Sequence, residues 1–163
     1  MARALFLFAA LLLAGCGGKT TDTTFKSDTG HGHSHDHGKM QRVDLGKKYH
    51  AGLTAHLSQK DGNEIDLVFE TTDGKPAPMP LAKVAAKAKR AGDDKSYDLA
   101  FEPTPKDERK DDPDGKCSRF TAKTPWMKPD DKLTVTAAVE VEGKSYDLEW
   151  ADFHPKKYAH VDE

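Results

Sequence analysis

The sequence predicts an all-β fold: an immunoglobulin-like β-sandwich of about seven strands over residues 40–163, preceded by a signal peptide and a disordered stalk. Three observations carry this reading. Several segments alternate apolar and polar residues with a period of two. Turn signals separate them at short intervals. Beyond the extreme N-terminus, the one segment rich in helix formers reads better as a strand. A small β-barrel satisfies the same observations and is the main rival.

Taken in order, "QRVDL" at 41–45 reads as a short opening strand. In "KKYHAGLTAHLSQ", Tyr49, Ala51, Leu53, Ala55 and Leu57 alternate with His50, Gly52, Thr54, His56 and Ser58, as in a half-buried strand. Asp61-Gly62 then makes a turn, and Ile65, Leu67 and Phe69 resume the alternation, which predicts a hairpin. The stretch "LAKVAAKAKRAG" is rich in helix formers and ends in glycine. Its lysines and alanines nearly alternate, however, and a Gly92-Asp93-Asp94 turn leads directly into "KSYDLAF", so a second hairpin is the better reading.

"EPTPKDERKDDPDGK" is a charged, proline-punctuated loop, longer than compact domains usually carry. Ser118 to Thr124, with Phe120 and Ala122, gives a further short strand before the turn-rich "TPWMKPDD". Leu133, Val135, Ala137, Val139 and Val141 then alternate up to a Glu142-Gly143-Lys144 turn, and Tyr146, Leu148 and Trp150 return, making a third hairpin. "KSYDLAF" at 95–101 nearly repeats as "KSYDLEW" at 144–150, and both describe a returning strand.

Ahead of the domain, Arg3 and the eleven-residue apolar run 4–14 have the form of a secretory signal, residues 1–15. A bilayer-spanning helix would need about 20 apolar residues. Leu13-Ala14-Gly15-Cys16 resembles the lipobox of bacterial lipoproteins, and that resemblance implies a diacylglyceryl thioether on Cys16, which becomes the acylated first residue. Two or three acyl chains on one residue would anchor the protein stably to a membrane. Gly17 stands where an aspartate, by analogy with lipoprotein sorting in some bacteria, would retain the chain at the inner membrane, so an outer-membrane location is favoured.

Loss of residues 1–15 removes Arg3 and no acid, leaving 24 of the 25 basic side chains against 27 acidic ones, or −3. That balance, with no basic block, argues against nucleic acid as a partner. With Cys16 acylated, Cys117 is the sole remaining thiol, expected to be buried and inert.

Residues 16–39 form the lipidated, histidine-rich stalk, too poor in apolar groups to offset its ordering entropy. Within it, "HGHSHDH" places His31, His33, His35 and His37 on alternate positions, so that neutral imidazoles can wrap one zinc, copper or nickel ion while Asp36 adds an oxygen. The same stretch also reads as a solvated spacer. Such a site would be weak and unselective, which suits buffering or hand-over better than catalysis.

A secondary metal site is conceivable if the C-terminal "DFHPKKYAH", with His154 and His160, folds one imidazole against His50. His50 and His56 share a strand face but lie about 20 Å apart and cannot hold one ion. Cys117, Met79 and Met127 lack the intervening histidines of a blue-copper site.

No G-x-S-x-G, H-E-x-x-H, P-loop or Rossmann fingerprint occurs, so neither an enzyme nor an organic cofactor is expected. The abundant carboxylates read as solvated. The lipobox, the "HGHSHDHG" stalk and the "KYHAGL" strand together resemble small exported bacterial lipoproteins with a His-rich N-terminal stalk. That resemblance implies a membrane-anchored envelope protein that binds or buffers divalent metal, alone or with an envelope protein partner. The alternative is a tethered structural or interaction module.

Overall fold

The computed structural model describes residues 39–109 and 111–161, with the backbone alone for His160 and Val161. Residues 1–38, with the expected signal peptide, Cys16 and the expected stalk ligands His31, His33, His35, Asp36 and His37, lie outside the described residues.

The fold is all-β. Nine strands follow in chain order: β1 (Gln41–Leu45), β2 (Tyr49–Leu57), β3 (Glu64–Thr71), β4 (Val84–Arg90), β5 (Ser96–Pro103), β6 (Arg119–Lys123), β7 (Leu133–Val141), β8 (Lys144–Phe153) and β9 (Ala159–Val161). Among the described residues, two single 3₁₀ turns interrupt them, at Lys106–Glu108 and Pro155–Lys157. The three expected hairpins form as β2–β3, β4–β5 and β7–β8. Residues 84–90 are a strand with in–out alternation, Val84, Ala86 and Ala88 inward and Ala85, Lys87 and Lys89 outward, which is why its helix-forming composition misleads.

The strands run β1-β2-β3-β6-β5-β4-β7-β8, every neighbour antiparallel, with β9 added parallel to β2. Two clean layers were expected, yet the hydrogen-bonded path is continuous. It turns the corner at β5, whose first six residues pair with β4 and whose last two, Glu102 and Pro103, pair with β6.

The free ends then approach each other, so the sheet nearly closes into a barrel. A β-bulge helps to close it. Ala151 and Asp152 of β8 both fall opposite the single step between Leu133 and Val135, and Asp152 adopts a left-handed φ of 55°. The Ala151 carbonyl accepts a 2.7 Å hydrogen bond from Gln41 Nε2 on β1.

The core fills the interior with inward residues of every long strand, among them Leu53, Ile65, Phe69, Phe101, Phe120, Val135, Trp150 and Phe153. Phe69 and Phe120 meet edge to face at 5.8 Å, and Phe153 stacks on Tyr158 at 5.5 Å. Trp150 is fully buried and donates its indole N–H to the Ala51 carbonyl of β2 at 3.2 Å, which ties the last hairpin to the first.

The half-buried pattern expected for β2 and β3 does not hold. Residues 51–55 and 65–70 are buried on both faces. Their outer face is covered. Met40 lies against Gly52, where a β-carbon would collide with its Sδ, and Arg42 reaches over to Glu70 at 3.0 Å. The glycine therefore seats the chain as it enters the domain.

Candidate functional site

The outer face of β2, β3 and β6 is a ladder of polar rows set by the register. One row runs Asp44–His50–Glu70, the next Arg42–Gly52–Val68–Arg119, the next Thr54–Asp66–Thr121–Glu102, and the last His160–His56–Glu64–Lys123. Residues two apart on a strand share a face, so the alternation that buries Leu53, Ala55, Ile65 and Leu67 also places the β2, β3 and β6 members of these rows on the outer face.

The third row holds a buried charge. Asp66 is 2% exposed and is satisfied on both oxygens, by Arg119 Nη2 at 2.5 Å and by the Thr121 hydroxyl at 2.6 Å. Contrary to the expectation of solvated carboxylates, Asp66, Glu70, Asp112 and Asp131 are buried, and each is paired or hydrogen-bonded. Asp112 accepts from the Ser118 amide at 2.7 Å and so stitches the long charged loop to the start of β6. Arg109 does the same from the other side, donating to the Thr104 carbonyl at 2.6 Å.

That ordered loop forms one wall of a groove of about 830 Å³. The floor is Thr54, His56, Glu64, Asp66, Arg119, Thr121 and Lys123, and the loop's Thr104, Pro105 and Glu108 continue that wall from Asp98, Ala100 and Glu102 of β5. Five carboxylates line it against two cations, Arg119 and Lys123. Lys123 is bonded to Glu64, whose carboxylate pushes its ammonium pKa up, so this cation is already committed to an acid within the groove. The net field in the groove is negative and favours a cationic occupant.

The structure disperses the other candidate residues. His50 lies beside Asp44, with Nδ1 3.1 Å from its Oδ1. His154 precedes the Pro155–Lys157 turn and accepts backbone bonds from Lys157 and Tyr158. The Tyr158 carbonyl in turn accepts from the Thr54 hydroxyl at 2.6 Å and from the Ala55 amide at 3.0 Å. That docking brings His160 beside His56, and not beside His50, six residues back along the strand. Among the described residues, no group of three or more His, Cys, Asp or Glu side chains gathers around one point.

Cys117 is buried, and its thiol donates to the Arg119 carbonyl at 2.7 Å. Burial pushes the thiol pKa up, so the reactive thiolate is suppressed. Met79 pairs with Cys117 through the backbone, but Met127 sits beyond the opposite end of β6 and the three do not converge. In the native protein near pH 8, Cys117 should react with an aromatic disulfide reagent at least about tenfold more slowly than in urea. Equal rates would show the thiol to be accessible.

Fold and groove together define a small all-β domain with an acidic cleft on one outer face. Compared with family models, curated proteins and solved structures, the chain matches none of them.

Proposed function

We propose that this chain is a lipid-anchored cell-envelope protein that gathers or buffers a divalent transition metal, zinc, copper or nickel, through His31, His33, His35 and His37, with Asp36 as an auxiliary oxygen ligand. The carrying observation is compositional: four of the eight histidines fall within seven residues, spaced by glycine, serine and aspartate. Neutral imidazoles at that density chelate borderline-soft cations near neutral pH. Acylation at Cys16 would hold the protein at the membrane, with the outer membrane favoured. The domain acts without catalysis.

The finer fold assignment belongs to the same proposal. The pairing β2-β3-β6 on one side and β5-β4-β7-β8 on the other follows the A-B-E and C′-C-F-G order of an immunoglobulin-type Greek key, with β1 and β9 as additions. This order supports a sandwich whose two layers stay joined at β5. A second reading, a tethered module that docks an envelope partner, is favoured by the acidic groove.

Calorimetric titration of the acylation-free mature chain tests the leading reading. Zinc, copper and nickel should each give saturable binding at micromolar concentrations, and alanine at His31, His33, His35 and His37 together should lower the bound stoichiometry. The same stoichiometry and affinity in both chains would overturn the stalk as a ligand and leave the docking module.

A further inference from the structure

Resting on the reading of the domain as a docking module, and independently of the stalk histidines, we propose that the free edge of β5 binds an extended, lysine- or arginine-rich peptide segment of a partner protein. The peptide adds a strand in the seam between β5 and β6.

For most of its length β5 has a neighbour on one side only. It pairs with β4 through residues 96–101 but meets β6 at Glu102 and Pro103 alone. Past Thr121, Ala122 and Lys123 of β6 likewise pair with β3 and with no other described strand. If the register of Glu102 and Thr121 continued, Trp126 would fall opposite Tyr97. There the two rings stack at 4.0 Å instead, so side chains span the seam where the main chains have parted. Both rings pack against the core, which covers the interior and leaves the strand edge accessible. An unpaired edge is a template for main-chain pairing with another extended chain.

The groove along this seam selects the charge of that chain. Arg119 is held by Asp66 and Lys123 by Glu64, while Asp98 is shared with the exposed Lys87 at 2.7 Å. Glu102 and Glu108 line the groove, are exposed, and have no ionic partner among the described residues. Asp98, Ala100 and Glu102 alternate on the outer side of β5, so a paired strand sets its own alternate side chains beside two carboxylates. Basic residues at those positions gain cross-strand attraction. A second copy of β5 would bring carboxylate against carboxylate. The same acids therefore guard the edge against self-association.

The test is amide NMR of the acylation-free mature chain with two capped heptapeptides, one alternating lysine with valine and the other glutamate with valine. The lysine peptide should shift residues 96–100 and 121–123 and slow hydrogen exchange along the β5 edge, whereas the glutamate peptide should leave them unchanged. Glu102→Lys together with Glu108→Lys should weaken lysine-peptide binding by roughly tenfold or more at low salt, with less effect at high salt. Asp147→Lys together with Glu149→Lys, exposed acids of β8 outside the groove, should leave it unchanged. Shifts confined to other faces would overturn this site while keeping the domain a docking module, and no shift anywhere with either peptide would count against both. Equal binding of the two peptides, or groove shifts without slowed exchange at β5, would overturn charge-selected strand addition.

Discussion

Trp150→Ala is expected to destabilise the domain by about 3–5 kcal/mol, because it leaves a large cavity where the first and last hairpins meet. The indole is wholly buried, and its N–H is bonded to the Ala51 carbonyl. Urea denaturation followed by far-ultraviolet circular dichroism should show a lower midpoint at nearly constant slope. Trp150→Phe separates volume from hydrogen bonding. It keeps most of the apolar bulk but leaves Ala51 O without its donor, at a cost of about 1–3 kcal/mol. A loss below about 1 kcal/mol for the alanine variant would mean that the barrel closes without this tie.

The second large effect is expected at Asp66. Truncation to alanine strands Arg119, whose side chain is 18% exposed and whose main ionic partner is lost, and should cost about 3–5 kcal/mol. Replacing the pair together, as Asp66→Leu with Arg119→Met, should recover most of that loss, since apolar groups of similar volume require no compensation for desolvated charge. The double-mutant cycle gives the coupling of the pair directly, and full additivity of the two single losses would show that Asp66 and Arg119 act independently.

Much of the fold was legible because local rules and tertiary need coincide. The period-two runs in β2, β3, β7 and β8 and the Glu142-Gly143 turn predict hairpins that form. In that turn Glu142 and Gly143 both take positive φ, 52° and 73°, as a tight right-twisting connection requires. In the lysine–alanine run of β4, helix propensity and period-two alternation point in opposite directions, and alternation is what the buried face follows.

What stayed hidden has a common cause. β9 is three residues long and carries no pattern of its own. It exists because Tyr158 anchors on Phe153 and presents its carbonyl to β2, more than a hundred residues earlier in the chain. The burial of Thr54, Asp66 and Glu70 could not be read from their strands, since the cover comes from Met40, Arg42, Arg119 and the C-terminal turn. A polar residue at an outward position reads as solvated until the segment that packs over it is known.

By itself, then, the sequence determined the β class, the three hairpins and the histidine-dense stretch, each a matter of residues near one another in the chain. Tertiary structure alone decided that the sheet curls until its ends nearly meet, that Asp66 is buried against Arg119, and that β9 pairs with β2. Those outcomes depend on which distant strands share hydrogen bonds, and that choice is made by the packing of the whole core, which no local pattern records.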